Sequence, residues 1–523
     1  MTESSGEAPS PPGDGPEVYF SARLTGTGGR RLIECMITLA MNKDVRARNV
    51  RRCRERGITL PTFAQMKDPA RAPSRVHEGL RSVGLWDVNP LNLFRITWRN
   101  EPVEKGGAFG DVNVLELPSR LTGVPARIIA LVGKWFPTGA HKVGATYGCL
   151  APALVTGAFD SSRQKAAWPS TGNFCRGGAF NSALLGCQSI AILPEGMSRE
   201  RFEWLSQVAG EVITTPGSES NVKEIFDTCH ELTRTRGDDI VIFNQFEELG
   251  NYLWHFEVTG EALLRVAEHM VGDAGTVRAF VSSTGSAGTI AAGDRLKAAF
   301  PGVRVAAAEA LQCPTLLCNG FGAHRIEGIG DKHVPWIHNV KNTDAVIAVD
   351  DADCMNLLRL FNEKEGRALL ARKGVAADVI ERLPLLGISG LGNLLASIKL
   401  ARYFEYSERD VFFTVLTDSL DLYGSRLSEL TAAQGAFDRD AAVAAWAGSL
   451  AGQRPDNVLE LTWPERKRVH NLKYYTWIEQ QGKSAVELNA QWSDPAYWTS
   501  VQEQAPQIDA LIEEFNAEVG SKG

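Results

Sequence analysis

The chain has 523 residues, enough for more than one folding unit. Apolar residues make up 44% and charged residues 22%, an ordinary globular balance, and a net charge of −7 argues against a general nucleic-acid binder. No apolar run is long enough to span a membrane, and nine scattered cysteines form no C-x-x-C pair, which reads as a cytoplasmic protein with reduced thiols and no metal site.

Residues 1–17, "MTESSGEAPSPPGDGPE", read as a disordered leader rich in Pro, Gly and Ser. Residues 18–110 form an N-terminal extension, and its basic run "KDVRARNVRRCRERG" reads as a solvated helix face rather than an anion patch. A core spans 111–430, within which short β-branched runs alternate with amphipathic stretches. "ARIIALVG" predicts a strand and "KVGATYGCLAPALV" a helix; "SIAILPEG" is followed by the helical "SRERFEWLSQVAG". Further strands are predicted at "DIVIFNQ", "RAFVSSTGSAG", "RVAAAEA", "DAVIAVDD" and "DVFFTVLTDS". Such alternation implies an α/β fold with parallel sheets flanked by helices. Residues 431–523 form a helical C-terminal extension. Its aromatics Trp463, Tyr474, Tyr475 and Trp477 are expected to pack on the main body or on a second subunit.

Ligands of parallel sheets collect at loops leaving the C-terminal strand ends. Two such loops stand out. "SSTGSAGTIAAG" follows a strand and opens a helix, and Gly285, Ser286, Ala287, Gly288 and Thr289 are all small. Backbone N–H groups at such a turn can converge on a phosphate. "WPSTGNFCRGGAF" has the same layout, and Ser170, Thr171, Gly172 and Asn173 suit a carboxylate or an ordinary helix cap. Lys142 in "PTGAHKVGATYG" precedes both. A lysine amine can bond to an aldehyde; pyridoxal phosphate carries aldehyde and phosphate, and an amino-acid substrate carries the carboxylate.

Five ordered motifs extend this reading. "LPEGMSRERFEWLSQVAGEVITTPG", "NQFEELGNYLWHFEVTGEAL", "HRIEGIGDKHVP", "GISGLGNLLASIKLA" and "VLTDSLDLYGSRL" resemble stretches of the cysteine synthase and cystathionine β-synthase family of fold-type II pyridoxal-phosphate enzymes, in that family's order, from about residue 113 to 426. The resemblance implies a two-lobed core, a homodimer and the cofactor pyridoxal 5'-phosphate. It implies β-replacement on a serine- or cysteine-like amino acid through an aminoacrylate. The alternatives are a β-eliminating lyase or deaminase and a catalytically silent scaffold that binds a partner enzyme. Lys142 matches the cofactor-bound catalytic lysine, whose small neighbours would leave room for a flat ligand. Asn173 matches the asparagine beside the phenolic oxygen, and Gly285 to Thr289 match the phosphate cup. Ser170, Thr171, Gly172 and Gln245 match the substrate-carboxylate contacts, and Gly330 and Asp331 the substrate mouth. Ser419 matches the hydroxyl facing the pyridine nitrogen; an Asp, here Asp418, precedes it in the family as well.

Departures are equally specific. "TGAHK" resembles the tryptophan synthase β-subunit at this one spot, which implies a place for His141 near the cofactor phosphate. Phe174, Cys175 and Arg176 follow Asn173 where small or polar residues are usual, and Asp331, Lys332 and His333 replace small and apolar ones. These changes point to a charged side chain or leaving group on the substrate; otherwise the residues face solvent or pair with one another.

Overall fold

The computed structural model describes residues 36–521 apart from 171, 219, 220 and 331. The leader at 1–17 and the sites Thr171 and Asp331 therefore lie outside the described residues. Two sheets organise the molecule. The larger runs β1-β2-β10-β7-β8-β9-β11, formed by Val114–Leu117, Arg127–Val132, Asp410–Leu416, Thr276–Ser283, Arg304–Ala310, Ala345–Val349 and Val458–Glu460. Its inner strands are parallel, and β1 and β11 pair antiparallel at the edges. The smaller sheet is wholly parallel, in the order β5-β4-β3-β6, from Glu211–Thr215, Ser189–Pro194, Lys165–Pro169 and Ile240–Ile242.

The inner strands are buried on both faces, which is why β4 and β10 read as unbroken apolar runs rather than alternating ones. Strand order then locates the site. In the smaller sheet the chain steps from β3 outward through β4 and β5, and returns with β6 on the other side of β3. In the larger sheet β7, β8 and β9 step one way, while β10 and β2 lie on the other side of β7. A crevice opens where strand order reverses, outside the C-terminal strand ends. Lys142 follows β2, Ser170 follows β3, Gln245 follows β6, Gly285 follows β7 and Ser419 follows β10.

The flanking segments are mostly helical and share the core's apolar clusters. Val50, Phe63 and Met66 pack with Ile508, Ile512 and Phe515 in one cluster. Polar ties fasten the same contact: the Asp509 carboxylate accepts the Phe63 and Ala64 N–H groups at 2.6 and 3.0 Å. The Asn516 amide bonds both the N–H and the carbonyl of Leu60, at 2.9 and 2.8 Å. Further along, Trp477 is fully buried against Trp336, Phe226 and His333, and its Nε1 donates to the Val334 carbonyl at 2.8 Å. The C-terminal extension thus grips the segment that follows Gly330, and through β11 it also adds a strand to the larger sheet.

Candidate active site

Lys142 opens the helix Lys142–Thr156. The turn before it is strained, with Thr138 and Gly139 both at φ 69°. A left-handed β-branched residue costs about 1–3 kcal/mol and persists only where the surroundings hold it. The His141 N–H donates to the Thr417 carbonyl at 3.3 Å, which ties the helix start to the end of β10. The small residues of this helix also serve packing. A Cβ on Gly144 would run into the Trp254 ring and one on Gly148 into the Gly250 carbonyl. From the other side, a Cβ on Gly177 would lie 2.8 Å from Val143 Cα. These glycines let two neighbouring helices approach Lys142 closely.

The Lys142 Nζ donates to Ser286 Oγ at 2.9 Å. Asn251 Nδ2 donates to the same oxygen at 3.1 Å and to the Gln245 carbonyl at 2.9 Å, so one amide joins the Gln245 loop to the turn after β7. In that turn Ala287 has φ 59°, and a Cβ on Gly288 would collide with Asn251 Oδ1. The backbone N–H groups of Ser286, Ala287, Thr289 and Ile290 find no acceptor among the described residues. Since buried N–H groups are almost always paired, this cluster has the donors that an anion would need. The Gly330 N–H donates to the Thr284 carbonyl at 3.1 Å, which sets the mouth segment against the same turn.

The loop after β3 is built from side chains. Ser170 Oγ accepts the Gly172 N–H at 3.0 Å. Gly172 has φ 149°, and a Cβ there would lie 2.8 Å from Arg201 Nε. Asn173 Nδ2 donates to Asp418 Oδ2 at 2.6 Å, and the Tyr423 hydroxyl donates to the same oxygen at 2.8 Å. Arg201 Nη2 donates to the Tyr423 hydroxyl at 2.9 Å, and its Nη1 is ion-paired with Glu327. Burial pushes the Asp418 carboxyl up, opposed by Arg201 and by the hydrogen bonds from Asn173 and Tyr423. Asn173 Oδ1 and Asp418 Oδ1 are buried without a partner among the described residues. Ser419 is buried beside Asp418.

His141 is fully buried, and its ring lies 5.4 Å from that of Trp98 and 5.0 Å from that of His255. Burial, then the neighbouring Lys142, push its pKa well down, so the imidazole is neutral. Sequence reasoning did not single out Asn251, Arg201, Glu327 or Tyr423. All four lie inside quoted motifs, but nothing in their spacing separates a bridging amide or a buried ion pair from surface polarity.

Comparison with known proteins supplies the class. Residues 133–384 match the family described as "Pyridoxal-phosphate dependent enzyme". A probable cysteine synthase of Bacillus subtilis is 29% identical over 272 residues, 51% of this chain and 84% of that one. A cysteine synthase of Staphylococcus aureus is 31% identical over 199 residues, 38% of this chain and 62% of that one. In fold, a hydrogen sulfide-producing enzyme of Fusobacterium nucleatum overlays with a TM-score of 0.53 at 22% identity, covering 66% of this chain and 96% of that chain. These matches support a pyridoxal-phosphate-dependent enzyme, and the fold is that of the fold-type II class. Within that class the similar proteins are cysteine synthases. The residues present fit the cofactor: four unsatisfied N–H groups sit on the turn whose serine holds Lys142 Nζ. Among the described residues no helix is long and apolar enough to cross a membrane.

Proposed function

We propose that this enzyme carries out β-replacement on a serine- or cysteine-like amino acid. The observation that carries the reading is the meeting of Lys142 Nζ with Ser286 Oγ on a turn of unsatisfied N–H groups, next to a hydroxyl- and amide-bearing loop. Bound in this site, pyridoxal phosphate would supply the sink for the electrons left at Cα. Gly285 to Thr289 would hold its phosphate, and Lys142 would carry its aldehyde carbon. Asn173, fixed by Asp418, would face its phenolic oxygen, and Ser419 its ring nitrogen. Ser170, Thr171, Gly172 and Gln245 orient the substrate carboxylate, while Gly330 and Asp331 frame the entrance. Lys142 takes the Cα proton and returns it, a task suited to a fixed amine worth about 10²–10⁴ in rate. The names of the relatives, cysteine synthases, favour replacement over elimination and over a silent scaffold. The core and its flanking segments act as one cytoplasmic unit. A homodimer would use the exposed Trp463, Tyr474 and Tyr475 of the C-terminal extension.

The test is the visible spectrum of the purified protein beside Lys142→Ala, with serine, cysteine and O-acetylserine added in turn. A yellow band that is absent in the variant and shifts with one amino acid supports the reading. A colourless protein that takes up no added pyridoxal phosphate overturns it.

A further inference from the structure

Arg176 stands three residues beyond Asn173, on the first turn of the helix Asn173–Leu184. It neither faces solvent nor pairs with its polar neighbours. Its side chain is 1% exposed, and Nε and Nη1 have no hydrogen-bond partner among the described residues. The guanidinium lies against two adjoining indoles, 4.9 Å from the Trp204 ring and 5.6 Å from that of Trp86. Ring faces offset part of the cost of burying a cation but accept none of its in-plane N–H bonds. Arg201, the other buried guanidinium nearby, is ion-paired to Glu327 with Asp418 at 3.8 Å. Burial and then the proximity of Arg201 push the Arg176 pKa down to about 10, which still leaves it charged at neutral pH. Buried charges are normally paired, and among the described residues no anion pairs with this one.

Two contacts place it at the wall of the reaction site. Trp86, which covers Arg176, also covers Gly139, where a Cβ would lie 3.0 Å from the indole; Gly139 is three residues before Lys142. On the other side Arg201, the strongest charge acting on Arg176, packs against Gly172 of the carboxylate loop. The α-carboxylate is already provided for by Ser170, Gly172 and the helix start. A further cation therefore answers a second negative charge.

Resting on the proposed β-replacement, we infer that Arg176 binds an anionic β-substituent on the substrate serine, a phosphate ester rather than a neutral acyl ester. In the reaction the Cβ–O bond breaks with both electrons on the departing phosphate. The Cα proton goes to Lys142 and returns to Cα once an anionic sulfur nucleophile has bonded to Cβ. Trp86, 42% exposed, is the removable cover of this subsite.

The experiment compares O-phospho-L-serine with O-acetyl-L-serine at matched ionic strength, on holoenzyme, for wild type, Arg176→Met, Arg176→Lys and Trp86→Ala. Sulfide consumption gives kcat/KM, and tryptophan fluorescence with thermal melting gives binding without turnover. Wild type is expected to favour the phosphate ester. Arg176→Met is expected to cut that preference about 100-fold, mainly in KM, and Arg176→Lys to restore part of it. Without ligand, Arg176→Met melts higher than wild type, because an unpaired buried charge is gone. O-Phosphoserine raises the wild-type melting temperature only. Should Arg176→Met fold poorly, Trp86→Ala carries the test through weaker phosphoserine binding. Equal preference in wild type and both Arg176 variants, or phosphoserine binding indifferent to all three, overturns the inference. Turnover of O-acetylserine in that case leaves the β-replacement reading intact. Turnover of neither ester, with Arg176-dependent phosphoserine binding, overturns β-replacement and keeps the anion site.

Discussion

Two strand-to-helix turns border Lys142. The one after β7 presents backbone: small residues, a left-handed Ala287 and N–H groups without acceptors. The one after β3 presents side chains held by other side chains, from Asn173 through Asp418 and Tyr423 to Arg201 and Glu327. Backbone recognition depends on shape, since each N–H exists whatever the residue, and fails when a Cβ intrudes. Side-chain recognition depends on identity, since each group is positioned by a chain of buried partners and fails when one charge or acceptor is lost.

The two turns can therefore be broken by different means. The largest effect is expected on the side-chain side. Asp418→Asn removes a buried carboxylate that Asn173, Tyr423 and Arg201 share, and should cost about 3 kcal/mol in urea unfolding, with KM for the amino acid raised. A loss near zero would mean that the network is not cooperative. Gly288→Ala is the counterpart on the backbone side. Its Cβ meets Asn251 Oδ1, so about 1–3 kcal/mol of strain is expected, with loss of cofactor on dialysis. Retention of cofactor and stability together would show that the turn yields. The smallest effect per pH unit lies outside both turns and serves as a control. Burial pushes His333 and His338 down to about 3. Above pH 6.5 both the folded and unfolded forms of each are neutral. As pH falls from 6.5 toward 3 the unfolded chain takes up protons that the folded chain refuses. Stability then drops by at most about 1.4 kcal/mol per pH unit for each histidine. Urea midpoints measured through that window should show the slope, and His333→Phe, among the Phe226, Phe246 and Trp477 rings, should reduce it.

Much of this arrangement was legible in the residues. The apolar runs at Arg127–Val132, Ser189–Pro194 and Asp410–Leu416 are strands, and the loops after them are where the chemistry gathers. That follows because parallel strands must be apolar throughout and their ends must carry the polar groups. Lys142 was visible as a charge among small residues, although the glycines around it record helix packing against Trp254 and Gly250. What escaped were long-range pairings: Asn173 meets Asp418 across 245 residues and Arg201 meets Tyr423 across 222. No local period encodes such contacts. The edge strand Val458–Glu460 escaped for a related reason, since three residues carry too little pattern to announce a strand.

The clasp between the flanking segments has a consequence for how the chain is made. The Phe63 N–H finds its acceptor on Asp509, 446 residues later. At ribosomal speeds of about 5–20 residues per second, the early helix waits roughly 20–90 s for the segment that covers it. During that interval Val50, Phe63 and Met66 lack the Ile508, Ile512 and Phe515 side chains of their cluster. The nascent chain is then exposed to chaperones and proteases in proportion to that delay, and slower translation lengthens the exposure.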